Sequence, residues 1–233
     1  MSGVILRKSG RYKTNTENNG ASILDDVAAS VLGKMEEKNI DKEDVQGIGL
    51  GVPGPVDNEG VVHKCVNLGW DVVNVEKELE EKTGLLVKAG NDANVAALGE
   101  MWQGGGKGYQ NVVMVTLGTG VGGGIIAENR LIHGVAGAGG ELGHIAVDFS
   151  ERPFACTCGK KGCLETVASA TGIVNLTRRY ADEYEGDSQL KVLIDNGEEV
   201  TAKTVFDLAK EGDALALIVY KNFSRYLGLA AAN

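Results

Sequence analysis

Four residues that bind metals well lie close together in the sequence. His144, Cys156, Cys158 and Cys163 follow the pattern H-x11-C-x-C-x4-C. Three thiolates and one imidazole form a ligand set typical of closed tetrahedral zinc sites, which are structural because no position is left for water. The alternative is a group of buried free cysteines beside an unrelated histidine. The tight spacing favours a structural zinc site.

A glycine-rich turn lies between two apolar segments, which we expect to be strands at 112–117 and 124–128. Three of its glycines match G-x-G-x-x-G, but a dinucleotide-binding fingerprint must open a helix, and here a second strand follows. Backbone amides and hydroxyls in such a turn can hold phosphate. A plain hairpin turn remains the alternative. The candidate phosphate ligands are Thr116, Gly118, Thr119, Gly120, Gly122 and Gly123.

Carboxylates and amides form a third group of candidates. Asn91 and Asp92 follow an expected strand at 85–89, and a strand end is a place from which side chains reach ligands in α/β proteins. Asn or Asp also suits a helix N-cap, and this simpler interpretation is favoured by the local sequence alone. Glu141 lies in a glycine-rich loop, and Glu165 follows the cysteines. Several such groups around one pocket suit a polyhydroxyl ligand such as a sugar.

Strands that alternate with helices indicate an α/β fold. Apolar residues recur at helical spacing from Ile23 to Met35, and Gly104–Gly106 interrupts the chain. We therefore expect two α/β domains, at 1–105 and 106–233. The expected elements are strands at 2–14, 45–52 and 85–89 and helices at 23–35, 75–82, 92–101, 172–184, 205–211 and from 214 onward.

Composition narrows the classes of partner. The net charge of −9 disfavours binding to a nucleic acid backbone. No apolar run is long enough or free enough of glycine to span a membrane, and no signal peptide pattern is present. In a reducing compartment, a tight cluster of cysteines indicates a metal site instead of disulfides. The expected location is the cytoplasm, with no membrane partner.

Five motifs together resemble the ROK family of repressors, open reading frames and kinases. They occur in the family's order along essentially the whole chain, and their surroundings are most similar to the glucokinase branch. The cysteine motif is the most specific of them. The motifs are GVPGPVD at 51–57, NDANVA at 91–96, LGTGVG at 117–122, GGELGH at 139–144 and CTCGKKGCLE at 156–165.

The resemblance implies an actin-like, ribonuclease-H-like ATPase fold of two α/β domains with a cleft between them. It implies a glycolytic hexose kinase that transfers phosphate from ATP, with magnesium, to the 6-hydroxyl of glucose. Asp92 is the implied catalytic base. His144 is implied to bind zinc through one nitrogen and sugar through the other. The implied sugar contacts are Gly54, Asn67, Asn91, Asp92, Glu141, His144 and Glu165.

Two departures from the family pattern concern the ends of the sequence. The family begins with a strand and an Asp-x-Gly-Gly-Thr phosphate turn, and continues to a glycine-rich adenosine motif. Neither is present, so we expect a fragment that lacks both ends and shows no glucose-dependent ATP turnover when expressed alone. Two alternatives stay open, an inactive sugar-binding remnant and a sugar-responsive ROK repressor. The family also implies a homo-oligomer, most simply a dimer.

Overall fold

The structure, a computed structural model, describes residues 14–135 and 137–232, apart from the side chain of Val66. Its mixture of helices and strands confirms the α/β class. Except for Thr14, the strand expected at 2–14 lies outside the described residues. The chain divides into two compact units after Asp92.

The first unit joins a parallel strand pair to two helices. Its elements are α1 (Glu17–Gly20), α2 (Ile23–Lys38), β1 (Ile48–Val52), β2 (Val61–Val62), β3 (Val73–Asn74), α3 (Val75–Thr83) and β4 (Val87–Asn91). The helical spacing in α2 buries Leu24, Ala28 and Met35 on one face, as the sequence predicted. The side chain of Asn74 caps α3, and Gly84 ends it with a φ of 68°.

Strand β4 lies two residues later than the sequence predicted. It pairs in parallel with β1, and the pairing continues until Val52 lies opposite Asn91. Two carboxylates of α3 bind backbone amides of β4. Glu80 accepts a hydrogen bond from the Val87 amide at 2.9 Å, and Glu76 accepts one from the Ala89 amide at 2.8 Å. These contacts hold β4 to α3 at Val87 and Ala89.

The second unit contains an antiparallel sheet followed by a helical layer. Its elements are α4 (Asp92–Gln103, which starts at the last residue of the first unit), β5 (Val112–Leu117), β6 (Val121–Ala127), β7 (Arg130–Leu131), α5 (Glu165–Ala168), α6 (Ala170–Ala181), α7 (Gln189–Asp195), α8 (Ala202–Lys210) and α9 (Ala214–Ala232). The second strand was predicted from 124 but begins at Val121. Because Leu117 pairs with Val121, only three residues form the turn.

The helices of the second unit enclose one hydrophobic core. Leu176, Leu190, Leu215 and Val219 are fully buried in it. Helix α7 was not predicted from the sequence, and the side chain of Ser188 caps it by accepting from the Lys191 amide. In the part of the chain that the structure describes, no helix is long and apolar enough to cross a membrane.

Candidate functional site

In the first unit, the candidate residues lie at the carboxyl ends of β1 and β4. Asn91 is the last residue of β4, and its side-chain amide donates to the Gly54 carbonyl at 3.2 Å. Asp92 follows as the first residue of α4, where a carboxylate is favoured by the amide end of the helix. A Cβ on Gly51 would lie 3.5 Å from the Asp92 Cα. The strand pairing therefore brings together Gly54, Asn91 and Asp92.

The loop around Gly54 is held by a second contact. The Cys65 thiol donates to the Pro53 carbonyl at 2.8 Å, and a Cβ on Gly54 would lie 3.2 Å from the Lys64 carbonyl. Asn67 lies in the same unit, exposed, in a 3-10 turn at Val66–Leu68. Gly54 therefore sits in a tightly packed loop, whereas Asn67 sits on a surface turn.

In the second unit, the glycine turn occupies the tip of the β5–β6 hairpin. The Gly118 amide donates to the Gly120 carbonyl at 3.0 Å, and the Gly118 carbonyl accepts from the Ala170 amide at 2.8 Å. A Cβ on Gly120 would lie 2.9 Å from Oε2 of Glu165. The backbone of the turn is thus fixed next to a candidate sugar ligand.

Three of the predicted sugar ligands converge in the second unit. His144 ends a 3-10 turn at Leu142–His144 that Glu141 precedes. Its Nε2 lies 3.8 Å from Oε2 of Glu141, and its Nδ1 lies 3.6 Å from Oε1 of Glu165. The imidazole therefore lies between a carboxylate of its own turn, Glu141, and one from α5, Glu165.

The structure also brings together the four predicted metal ligands. One ligand atom from each of His144, Cys156, Cys158 and Cys163 lies within 4.8 Å of all the others. The sulfurs of Cys158 and Cys163 are 3.7 Å apart, and the Cys156 sulfur is 3.5 Å from Nδ1 of His144. Ligands about 2.3 Å (S) and 2.0 Å (N) from a tetrahedral centre would be separated by about 3.5–3.8 Å. The four residues could therefore hold a metal ion.

The protonation of the thiols depends on their surroundings. Burial raises the pKa of the Cys156 thiol to about 12, and its hydrogen bond to Oε1 of Glu165, at 2.9 Å, acts in the same direction. Burial also raises the pKa of Cys163, whereas the backbone amide of Lys160 lowers the pKa of Cys158. A metal ion bound here must displace the thiol protons, so its affinity falls as the pH falls.

A buried carboxylate behind the cysteine loop was not identified from the sequence. Asp148 is 3% exposed and accepts from Nη1 of Arg179 and from the Tyr226 hydroxyl, both at 3.3 Å. Burial raises its pKa, but hydrogen bonds from Ser150 and Arg179 outweigh burial and lower it overall. Asp148 thus connects the segment that precedes the cysteine loop to α6 and α9 through hydrogen bonds. The available signal was a single acid within the apolar segment 145–149.

Comparison with known proteins finds glucokinases and a repressor among the proteins that are similar to this chain. The model of the ROK family matches residues 3–233. A glucokinase from Halalkalibacterium halodurans is 46% identical over 94% of this chain and 66% of its own length. A glucokinase from Thermotoga maritima is 39% identical over 93% of this chain and 66% of its own length. The chain therefore spans slightly less than two thirds of the length of these relatives.

Two further similarities concern fold and function class. A crystal structure of a ROK family glucokinase from Streptomyces griseus in complex with glucose and AMPPNP matches with a TM-score of 0.67. Its identity is 32%, over 94% of this chain and 68% of that one. A xylose repressor from Caldicellulosiruptor bescii is 32% identical over 87% of this chain and 51% of its own length. The structural similarity confirms the predicted actin-like ATPase fold.

Proposed function

The chain belongs to the ROK family, and from this premise we propose that the whole protein is an ATP-dependent kinase that phosphorylates the 6-hydroxyl of glucose. The relatives at 46% and 39% identity are both glucokinases, which supports a hexose substrate. The expected cytoplasmic location, the lack of a nucleic acid partner, the dimer and the domain boundary between Gly105 and Gly106 remain predictions.

One observation carries the proposal. The carboxylate of Glu165, a proposed sugar ligand, lies against Gly120 at the tip of the proposed phosphate turn. A sugar on Glu165 would therefore have the phosphate-binding backbone beside it, as transfer between the two requires. Phosphoryl transfer depends mainly on such positioning and on stabilisation of charge.

The proposed sugar contacts in each unit are carboxylates, amides and other polar groups. Carboxylates bind hydroxyl groups strongly, because a hydrogen bond to a charged acceptor is stronger than one to a neutral acceptor. Proposed contacts come from Glu141, His144 and Glu165 in the second unit. The first unit supplies Asn91 and Asp92, together with Gly54 and Asn67.

We assign the metal cluster to structural zinc. The distances within the cluster suit that ion, and all four ligands come from the protein. Zinc, when bound, would supply a fixed anchor for the cysteine loop. With Nδ1 of His144 on the side of the Cys156 sulfur, Nε2 on the side of Glu141 is left for the sugar.

The proposed base is Asp92. Its carboxylate accepts the proton of the sugar 6-hydroxyl while that oxygen forms a bond to the γ-phosphorus of ATP. The bond from this phosphorus to the β–γ bridging oxygen breaks, and ADP leaves. Magnesium held by the ATP phosphates would neutralise part of their charge. The turn from Thr116 to Gly123 would donate backbone and hydroxyl hydrogen bonds to the phosphates.

A coupled assay of ADP release over a panel of hexoses tests this function. We expect the highest kcat/KM with glucose, with N-acetylmannosamine as the informative competitor. No ATP turnover by the whole protein with any hexose, despite bound sugar, would contradict it.

The second candidate function is that of a sugar-responsive repressor, because a xylose repressor is among the relatives. A DNA-binding titration of the whole protein, with and without sugar, separates the two functions. Sugar-dependent DNA binding without phosphorylation would favour the repressor.

A further inference from the structure

In strand β6, which leaves the glycine turn, three consecutive glycines at 122–124 are closely packed on both faces of the strand. Gly122 and Gly124 lie toward α4, and Gly123 lies toward the segment 140–143 that leads to His144. Successive residues of a strand point to opposite faces, so three consecutive glycines leave both faces bare.

On one face, the sugar-ligand segment touches the strand backbone directly. A Cβ on Gly140 would lie 2.5 Å from the Gly123 carbonyl oxygen. A Cβ on Gly143 would overlap the Val121 carbonyl oxygen and lie 3.1 Å from its carbon. These distances are shorter than van der Waals contact, and backbone atoms have no rotamer with which to move aside.

On the other face, helix α4 approaches in the same way. A Cβ on Gly124 would lie 2.6 Å from the Ala97 Cβ, and one on Gly122 would lie 3.2 Å from the Ala93 Cβ. The strand is therefore held between α4 and the sugar-ligand segment. A packed region of this kind transmits a displacement instead of absorbing it.

The turn itself is fixed at its tip by the same unit. Its Gly118 carbonyl accepts from Ala170, and Gly120 adjoins Glu165. Phosphate on the turn and sugar on Glu141, His144 and Glu165 would thus act on one closely packed assembly. Whichever ligand binds first orders the backbone that the other needs, so the second loses less conformational entropy.

We propose that Gly123, Gly140 and Gly143 are positioning residues that couple sugar binding to nucleotide binding through direct backbone contact. This inference rests on the proposed function, because it takes the turn as the nucleotide site and the 141–165 carboxylates as sugar ligands. Thermodynamic linkage makes the coupling reciprocal. AMPPNP therefore increases the affinity for glucose by the same factor by which glucose increases the affinity for AMPPNP.

The test measures the dissociation constant of glucose by calorimetry on the whole protein, with and without saturating AMPPNP. We expect AMPPNP to tighten glucose binding by at least about 5-fold, the lower end of typical couplings, and Gly143→Ala to reduce this factor to below about 2-fold. Metal content and circular dichroism check that each variant is folded.

A second variant keeps the test valid even if the Gly143→Ala protein does not fold. A Cβ on Gly123 would lie 2.6 Å from the Leu142 Cγ, and a side chain can be shortened. Gly123→Ala should lose the coupling, and Leu142→Ala added to it should restore part of it. The matched control is Gly99→Ala on α4, where a Cβ meets no atom within 4 Å. This control should leave unchanged the factor by which AMPPNP tightens glucose binding.

Several outcomes would overturn the inference. It is wrong if glucose and AMPPNP bind the unmodified protein independently, or if folded Gly143→Ala or Gly123→Ala keeps the full factor. Failure of the proposed function looks different, since then glucose does not bind or is not phosphorylated. Phosphorylation with unaltered coupling in the variants would retain the function and reject the role of the glycines.

Discussion

The two units hold their candidate residues in different ways. In the first unit, Asn91 and Asp92 lie at the end of β4. This strand contacts α3 and the loop around Gly54 through single hydrogen bonds, each between a backbone group and a side chain. In the second unit, the candidate metal ligand Cys163 is fully buried, and the nearby Leu164 and Val167 belong to the main core. The first unit presents its candidates from the end of a strand, whereas the second unit holds two residues of its cluster, Cys156 and Cys163, in its interior.

This difference predicts which substitutions should affect catalysis and which should affect folding. Substitution of a side chain that projects from a strand end removes its chemistry and little packing. Substitution of a ligand in a metal-binding cluster that adjoins the core should lower the stability of the fold, even where the substituted side chain is itself exposed. The predictions below test this contrast in order of expected effect.

The largest expected effect is on catalysis, from Asp92→Asn in the first unit. The amide keeps the shape of the carboxylate but accepts no proton, so kcat should fall by at least about 100-fold with sugar binding largely retained. Steady-state kinetics and glucose titration measure the two effects. The melting temperature should hardly change, because Asn also suits the start of a helix.

The control is Asp71→Asn, at an exposed position of the same unit, which should leave kcat unaltered. A near-normal kcat in Asp92→Asn would show that Asp92 serves only the start of α4. The part of the contrast that assigns a catalytic group to the first unit would then be wrong.

The second effect is on folding, from Cys158→Ala in the second unit. The side chain of Cys158 is exposed, so little packing is lost with it. Loss of a metal ligand should nevertheless lower the stability by more than about 2 kcal/mol, because structural metal binding contributes directly to folding. Metal analysis should find about one zinc per chain in the unmodified protein and far less in the variant.

Cys65→Ala is the matched control, because Cys65 is buried in the first unit and lies outside the metal cluster. It should keep its full metal content. A Cys158→Ala protein without metal but with undiminished stability would show that the cluster is not structural.

The metal site could be predicted from the sequence because its ligands are close along the chain. Three cysteines within eight residues leave few arrangements other than a ligand loop, and the structure brings His144 to them as expected. The helical spacing in α2 likewise predicted which face is buried.

Contacts between distant residues could not be predicted in this way. The approach of Glu165 to Gly120 depends on how α5 and α6 pack against the hairpin. The late end of β4 depends on its register with β1. Residue types and local spacing do not encode either, because register and packing are fixed only when the chain has folded.

A third prediction concerns Asp213, which joins two helices of the second unit. Its carboxylate accepts from the Ser188 hydroxyl at 2.8 Å, the Gln189 amide at 2.7 Å and the Ala216 amide at 2.9 Å. Asp213→Ala should therefore cost about 1–2 kcal/mol near neutral pH, as loss of a helix cap does. Urea unfolding measures the change.

The pH dependence of this effect has a definite sign. Burial raises the pKa of Asp213, but the hydrogen bonds from Ala216, Ser188, Leu190 and Gln189 outweigh it, so the folded pKa lies below the usual 3.8. Its contribution is complete above the unfolded pKa and is lost as the pH falls through the folded one. The variant and the unmodified protein should converge at acidic pH. Asp195→Ala, in an exposed pair with Lys191, is the control and should cost less than about 0.5 kcal/mol.

The smallest expected effect is a gain of stability from one glycine in each unit. Gly33 on α2 and Gly99 on α4 are exposed helical residues at which a Cβ would meet no atom within 4 Å. Alanine there reduces the conformational freedom of the unfolded chain, so each change should stabilise the protein by about 0.5–1 kcal/mol. Urea unfolding followed by a probe in each unit measures both.

Gly84→Ala is the opposing control, because Gly84 ends α3 with a φ of 68° that disfavours a side chain. It should destabilise the protein by about 1 kcal/mol, the cost of a strained left-handed position. Neither Gly33→Ala nor Gly99→Ala places a side chain in a candidate site or a core. Because the contrast concerns only how the two units hold their candidate residues, both substitutions should give equal gains of stability. A gain from Gly99→Ala alone would mean that α2 contributes little to the stability that unfolding reports. The first unit would then differ from the second in the stability of its helices as well as in how it holds its candidate residues.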